Sequence, residues 1–527
     1  MPRTCYALLT LCLLSTTALA APATQVEADR IAALFQSYIG ETKGVIGVKP
    51  ASEAYDVSID LTPLIARFPT EAEADRPEIK VSPWMFRLAD SGNGQWLVTQ
   101  DKPIDIRISA PGQLDLVMTV GSVNYAGTFD EKLKFFTSTK ADFSDISLTE
   151  KVTSPEVALL EVTYGLKSMH YESTNRESGP GTVDGVSKLT YAGFAEVIKS
   201  VPSKEGETPL DFSIEGKSGF QDVTFRGFKI LALYEAASWL FKNADKDIEN
   251  PDTAMKAELS ALLEASLPIF QNINMKGGIE SVTVASPYGQ FGLGKLETEI
   301  ELNGLVKDGL FREAVVLEKL TMPDGIAPPF ANDFIPERLA IDVKVTGFDA
   351  EAPTRLILAD PGKFSEPDAK PELEAQLTKA LLPTGAATVS FTSNVLAGKT
   401  YDLAMDGSVV AGPEVKPSGK GAVRTQSLIP LINAINALPE ELGMGMASTG
   451  LIAFNAMAKP QADGSLLWDI LGTEDGKFFI NGVDYTALAN IGGNTIPDQD
   501  PELEPEDEPP VEDEANKAGL GDTPTKP

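Results

Sequence analysis

The chain alternates between two hydrophobic rhythms. Between residues 27 and 40, Ile31, Leu34, Phe35, Tyr38 and Ile39 recur at helical spacing on one face, and Gly40 supplies a stop. From Tyr55 the period becomes two. Tyr55, Val57, Ile59 and Leu61 alternate with Asp56, Ser58 and Asp60, and Ile104, Ile106 and Ile108 alternate with Asp105 and Arg107. Such alternation predicts strands with one apolar and one wet face. Leu114 and Leu116, Val123 and Tyr125, Leu133 and Phe135, and Ile146 and Leu148 follow as short apolar pairs. Their spacing of roughly ten residues predicts an antiparallel meander, which residues 157–166 and 187–191 continue.

Helical spacing returns after Phe228 with Ile230, Leu231, Leu233, Tyr234, Ala237, Leu240 and Phe241. It returns again after Asn250-Pro251 with Met255, Leu259, Leu262, Leu263 and Leu267. Strands are predicted around 279–284, 296–302, 315–317 and 339–345. From Pro371 the order recurs: a helix with Leu373, Leu377, Ala380 and Leu381, strands at 389–391, 401–405 and 422–424, and a helix over 428–438. Phe478, Phe479 and Ile480 then lead through Asn481-Gly482 to Val483 and Tyr485, a hairpin whose turn demands positive φ. No exact repeat of 20–50 residues runs through the chain, so a regular solenoid is not predicted. The predicted class is α+β: a large curved antiparallel sheet, or sheets, with amphipathic helices packed on one face and a disordered acidic C-terminal tail. The expected organisation is a leader over 1–20, a β-rich half over 21–227, a helix-plus-sheet half over 228–490, and the tail over 491–527.

The ends add location. Arg3, the apolar run 7–14, and Ala18-Leu19-Ala20 ahead of Ala21 form a secretory leader, too short to span a bilayer. The two cysteines, Cys5 and Cys12, lie inside it, so the exported chain has no thiol and must hold its fold by burial. The expected location is a bacterial periplasm, with no transmembrane segment after cleavage. The net charge is −32, and residues 498–527 carry 11 acids against 2 lysines. That field repels phosphate backbones and argues against nucleic acid as a partner. The tail has no aromatic residue to bury and is expected to be disordered, either as a solvating segment or as an acidic arm for a basic partner or for divalent cations.

Little points to a reaction. The one histidine, His170, sits in Ser-Met-His-Tyr-Glu-Ser, and no G-x-S-x-G elbow exists to accompany it. One histidine and no thiol leave no nitrogen–sulfur zinc or copper site, and no calcium loop of the EF-hand kind occurs. Residues 215–219 (Glu-Gly-Lys-Ser-Gly) lack the earlier glycine of a phosphate loop, where Asp211 stands instead, and are expected to form a turn. Trp84, Trp96, Trp239 and Trp468 are scattered, without the clustering of a sugar platform. Met444, Met446 and Met457, with Leu451, Ile452 and Phe454, read as either adaptable binding surface or core filling. No catalytic, cofactor-binding or metal-ligating residue is nominated, and no cofactor is expected.

The segment 421–485 resembles the C-terminal end of a family of exported bacterial proteins known as a domain of unknown function (family 2125). It is distantly similar to YdgA-like and AsmA-like envelope proteins. The shared order is a leucine- and isoleucine-bearing helix followed by a strand of the form Asp-Gly-x-apolar-x-apolar-Asn-Gly, here Asp475–Gly482. The resemblance implies architecture and transfers no catalytic residue. The expected function is non-enzymatic: binding of a lipid-like or hydrophobic molecule, or of an envelope partner, by an apolar concave face. An interaction module acting through its surface and acidic tail, and a carboxylate-based hydrolase, are the alternatives.

Overall fold

The structure, a computed structural model, describes residues 22–39, 43–65, 78–110, 114–153, 157–202, 209, 211–243, 246, 252–323, 325–359, 370–413 and 415–486. The expected leader and acidic tail lie outside them. The chain starts with α1 (Gln25–Ile39), β1 (Ile46–Ala51), β2 (Ala54–Ile59) and the single turn α2 (Thr62–Ile65). Next come β3 (Glu78–Val81), β4 (Trp84–Gly92), β5 (Gln95–Gln100), β6 (Ile104–Ala110), β7 (Leu114–Asp130), β8 (Phe135–Val152), β9 (Val157–Gly179), β10 (Thr182–Pro202) and β11 (Asp211–Phe228). Helices α3 (Ile230–Lys242) and α4 (Thr253–Ser266) precede β12 (Asn272–Ser286), β13 (Gly289–Asn303), β14 (Gly309–Thr321) and β15 (Pro336–Phe348). Helices α5 (Glu351–Ala359) and α6 (Lys370–Leu381) precede β16 (Ala387–Gly398), β17 (Asp402–Gly412) and β18 (Val415–Thr425). The last elements are α7 (Ile429–Asn436), α8 (Gly445–Ala456), β19 (Lys459–Pro460), β20 (Leu466–Gly472), β21 (Phe478–Ile480) and β22 (Val483–Asp484).

All of these strands belong to one 22-stranded antiparallel sheet, curved and unclosed. From β7 to β18 every strand pairs with the next in sequence. Strand β7 is long enough to pair along one half with β6 and along the other with β5, which carries β4, β2 and β1 beyond it. At the other end β18 passes the sheet to β20, and β20 to β21 and β22. The sheet runs unbroken across residue 228, because β11 pairs with β12 from Ser213↔Ala285 to Arg226↔Asn272. Helices α3–α4 and α5–α6 are therefore insertions between neighbouring strands. Both leave from the strand ends that carry the 179–182 and 303–309 hairpins.

The strands are longer than the sequence spacing implied: β7 has 17 residues, β8 has 18, β9 has 23 and β10 has 21. What read as strand ends are resets of the alternation inside continuous strands. In β9 the apolar positions are Val162, Tyr164 and Leu166, then Met169 and Tyr171; in β12 they are Ile273, Met275 and Ile279, then Val282 and Val284. The resets lie in one line across the sheet. On every second strand a residue takes the left-handed conformation there: Asp145 (φ +53°), Gly193 (+68°), Ser281 (+54°) and Lys319 (+59°). Pairing is in register on both sides, for example Ser122↔Ser144 and Val120↔Ile146, so the line is a crease without slippage. Bulge-like residues of this conformation re-aim the side chains that follow. Here they keep the apolar side chains on one face: a Cβ placed on Gly216 would lie 2.5 Å from Ile279 Cδ1, across the line.

The crease crowds facing backbones. A Cβ on Gly121 would lie 3.1 Å from Asp145 Cβ, and one on Gly294 would lie 2.9 Å from Lys319 Cβ. Glycine is required at those two places by close approach. Residues 215–219, expected as a turn, are instead in the middle of β11, with Lys217 on the crease. A second reset, on β16, uses an extra residue around Ser393 (φ +55°) between Phe391↔Val343 and Leu396↔Leu339.

Three buried clusters anchor helices to the apolar face. Ala28 and Ile31 of α1 pack on Tyr55, Val57, Leu88, Trp96 and Val98. Ile230 of α3 packs with Leu133 and Val183. Leu428 and Ile432, at the start of and within α7, enclose Trp468 and Ile480. Helices α4 and α5 are joined by Ser260 Oγ donating to the Leu358 carbonyl at 3.1 Å, and Asp349 caps α5 through Glu351 N and Ala352 N, both at 2.9 Å. In the closing hairpin Asn481 (φ +51°) and Gly482 (+81°) form the expected turn, with Ile480 buried and Phe478 packed beside it.

Candidate functional site

Following the register from strand to strand gives each face its inventory. The apolar face runs through Val223 of β11; Ile273, Met275 and Ile279 of β12; Leu296, Ile300 and Leu302 of β13; Val315 and Leu317 of β14; and Leu339, Ile341, Val343 and Val345 of β15. It continues through Val389 and Phe391 of β16 to Val409 of β17. Between the α3 and α7 clusters these side chains are half-buried, and Phe311, Ile341, Leu396, Met405 and Val409 are exposed. Helices α1 and α7 pack at the two ends of this face and α3 to α6 pack on one another in a row, while the five exposed side chains, with Glu313 among them, face solvent.

The opposite face is ionic. Arg312 sits between Asp342 (2.8 Å) and Glu299 (3.0 Å), and Glu297 holds Lys276 (2.6 Å) and Lys295 (2.7 Å). The Arg312 guanidinium is held protonated by its bond to Asp342 first, against a smaller opposing effect of burial. Glu299 is pulled below the usual carboxylate range by its bond from Asn274 and, less strongly, by Arg312, against desolvation. All but Lys295–Glu297, which lies within β13, are cross-strand pairs that support register, each worth at most a few tenths to about 1 kcal/mol at such exposure.

Under α1 the apolar face closes into a cavity of about 440 Å³. Its roof is Ile31, Leu34 and Phe35 of α1; its floor and walls include Ile59, Trp84, Phe86, Leu88, Trp96 and Val98, with Phe129 and Phe136 from β7 and β8. Phe35 meets Phe86 edge-on at 6.3 Å, and Tyr55 meets Trp96 at 6.0 Å. The polar groups at its margin are bonded to one another. Trp84 Nε1 donates to Gln100 Oε1 at 2.6 Å, and Trp96 Nε1 donates to Glu131 Oε2 at 3.1 Å. Arg30 clamps Glu131 with two bonds (2.6 and 3.1 Å) and also reaches Glu27 (2.8 Å). Glu131 is held below the usual range mainly by the Arg30 bond, against desolvation. A larger hollow of about 690 Å³ lies over Gly407 and Gly421, but it is open to solvent and rimmed by Asp406, Lys420 and Asp469.

His170 lies on β9, on the ionic face, half-exposed. Its Nδ1 meets Asp142 Oδ1 at 2.6 Å and its Nε2 meets Glu172 Oε1 at 3.2 Å. Ser122, Ser144 and Ser168 share the same shallow depression. Both ring nitrogens are taken by carboxylates, so no serine is activated. Asp142, then Glu172, raise the ring's pKa above its ordinary value against a smaller desolvation effect. A raised folded value means that the ring's small stabilising contribution is present at acid pH and lost as pH rises through that value. Among the described residues no group of three or more His, Cys, Asp or Glu could hold a metal ion. No helix among them is long and apolar enough to cross a membrane.

The methionines divide. Met457 packs at the Trp468 cluster, whereas Met446, 88 % exposed, and Met444 stand on the outer side of the α7–α8 region near exposed Leu442 and Ile452. Of the tryptophans, Trp84 and Trp96 line the α1 cavity, Trp468 is core, and Trp239 Nε1 bonds Glu258 at 2.9 Å between α3 and α4. Sequence reasoning nominated no cavity residue. The apolar stripe of α1 and the alternation of β2 were visible, but nothing local says that β4, β5, β7 and β8 share their face. Compared with protein-family models, curated proteins and solved structures, the chain matches none.

Proposed function

We propose that this is an exported, non-enzymatic protein of a bacterial envelope that binds a lipid-like or otherwise hydrophobic molecule on the apolar face of its sheet. The observation that carries the reading is the set of exposed apolar side chains in the middle of that face, together with a partly enclosed apolar cavity on the same face under α1. A face built only to stabilise a fold would be covered by its own helices along its length, since exposed apolar surface gains nothing from folding. The single histidine engaged by two acids, the ionic pairs of the other face, and Arg30 held by Glu27 and Glu131 offer no group poised for proton transfer or nucleophilic attack. The leader-like N-terminus supports export, and the likeness of residues 421–485 to envelope-protein C-termini supports the location.

Organic extraction of the purified protein followed by mass spectrometry tests this. An apolar molecule at a substantial fraction of one per chain is the expected result. A blank extract, together with failure of the native protein to take up any hydrocarbon probe, contradicts it.

A further inference from the structure

We infer that the space under α1 is a binding site for a single uncharged hydrocarbon chain. This rests on the proposed apolar-ligand function and adds the place and the ligand's charge. Its volume of about 440 Å³ falls in the range of small-molecule sites, about 300–1,000 Å³. Its wall is almost wholly hydrocarbon and aromatic ring. The polar atoms at its edge are already engaged: Trp84 with Gln100, Trp96 with Glu131, and Gln100 Nε2 with the Lys102 carbonyl at 3.4 Å. The Tyr125 hydroxyl is bonded to Thr139. A polar ligand group finds few unengaged partners there and would lose most of its water without replacement.

Charge is excluded more strongly than polarity. Arg30 is the cation lining the space, beside Trp96, and it is shared by Glu27 and Glu131, so the three groups together carry one negative charge. The whole chain carries −32. A carboxylate or phosphate entering there would meet repulsion and an arginine already occupied. A cation would have to be stripped of water against aromatic walls, beside a Glu131 carboxylate whose charge is already paired with Arg30 and which also accepts from Trp96. The remaining class is a neutral chain whose methylenes fill the space, any hydroxyl or ester staying at the mouth by Leu61.

The site carries its own reporters, since Trp84 and Trp96 line it. The probes are dodecan-1-ol and dodecanoate, each dibrominated at mid-chain and used below its micelle concentration at pH 8 with the full chain. The alcohol should quench tryptophan fluorescence saturably, and the variant Trp84→Phe should reduce the quenched fraction. Dodecanoate should bind at least tenfold more weakly. Each added methylene in a series of unbranched alcohols should tighten binding about fourfold until the space is full. Leu34→Phe and Leu61→Phe, which add bulk to the roof and the mouth without burying a polar group, should each weaken binding at least fivefold at unchanged circular dichroism. Dodecanoate binding as tightly as dodecanol overturns the inference. So does alcohol binding that leaves Trp84 and Trp96 unquenched, which would place the ligand on the open sheet and leave the proposed function standing. Absence of all alcohol binding by a protein whose extract contains an apolar molecule overturns it likewise, and with a blank extract the proposed function falls too.

Discussion

Trp468→Ala should cost about 3–5 kcal/mol, the range for removing a large aromatic from a packed core. Trp468 has no solvent-accessible surface. Its ring stacks on Phe454 with centroids 4.5 Å apart and planes 6° from parallel, and its Nε1 donates to the Phe454 carbonyl at 2.8 Å. One side chain therefore joins β20 to α8 by both stacking and a directed bond, while Leu428 and Ile432 close over it. Truncation opens a cavity that strands on a shared ladder cannot collapse to fill, and it leaves the Phe454 carbonyl with the Met457 N–H alone, at 3.1 Å. Because the cluster lies at one end of the sheet, the loss should be local. Amide exchange in α7 and α8 should speed up by about two to three and a half orders of magnitude, since 1.4 kcal/mol is a factor of ten. Exchange in β9 and β10 should be unchanged. Trp468→Phe should keep the stacking and recover more than half of the loss. Unaltered protection of α7–α8 in the alanine variant would mean that these helices are held by something other than Trp468.

The second large effect belongs to the crease. Gly121→Val and Gly294→Val each place a branched side chain where even a Cβ would come within 3.1 and 2.9 Å of the facing Cβ. Asp145 Cβ and Lys319 Cβ are fixed to strand backbones and cannot swing aside, so the strands must part. Overpacking of this kind costs about 1–3 kcal/mol per site. The two sites are six strands apart, at about 4.8 Å per strand, so the costs should add in the double variant to about 2–6 kcal/mol. Gly165→Val is the matched control. Its Cβ would meet only the Ala195 carbonyl oxygen at 3.9 Å, two residues from the crease on β9, and valine suits a strand. It should be neutral within about 0.5 kcal/mol. Urea midpoints for the four proteins provide the comparison. Equal midpoints for Gly294→Val and Gly165→Val would show that the crease does not crowd the backbone as described.

How much of this was legible beforehand follows from how far each signal reaches along the chain. Helices α1, α3, α4, α6 and α7 were readable because an apolar stripe at 3.6-residue spacing is a local property, and Asn481-Gly482 announced its turn by backbone preference alone. The meander was readable for the same reason. Its strand lengths were not. Leu166 to Met169 and Ile279 to Val282 are three apart, which in a regular strand puts them on opposite faces, so an end was the simplest reading. The structure resolves the conflict with left-handed residues, two of them, Ser281 and Lys319, of types that seldom adopt that conformation and so give no warning. Asp145 and Gly193 could have been suspected. Residues 215–219 looked like a turn for a related reason: Gly216 and Gly219 are there because Ile279 and the Tyr191 ring occupy the space their side chains would need. The cavity lay furthest from view, because it is made by the pairing of β2, β4, β5, β7 and β8, and pairing order is not a local property of any of them.

A photoactivatable alkyl diazirine, irradiated with the native full chain and mapped by peptide sequencing, bears most directly on the idea that one continuous apolar face is the working surface. Adducts should fall on Met275, Ile300, Val343, Val345 and Phe391 and around α1, while their strand neighbours Lys276, Glu299 and Lys344 stay unlabelled. Labelling spread evenly over both faces, or confined to the outer side of α7 and α8 with the sheet untouched, would contradict it.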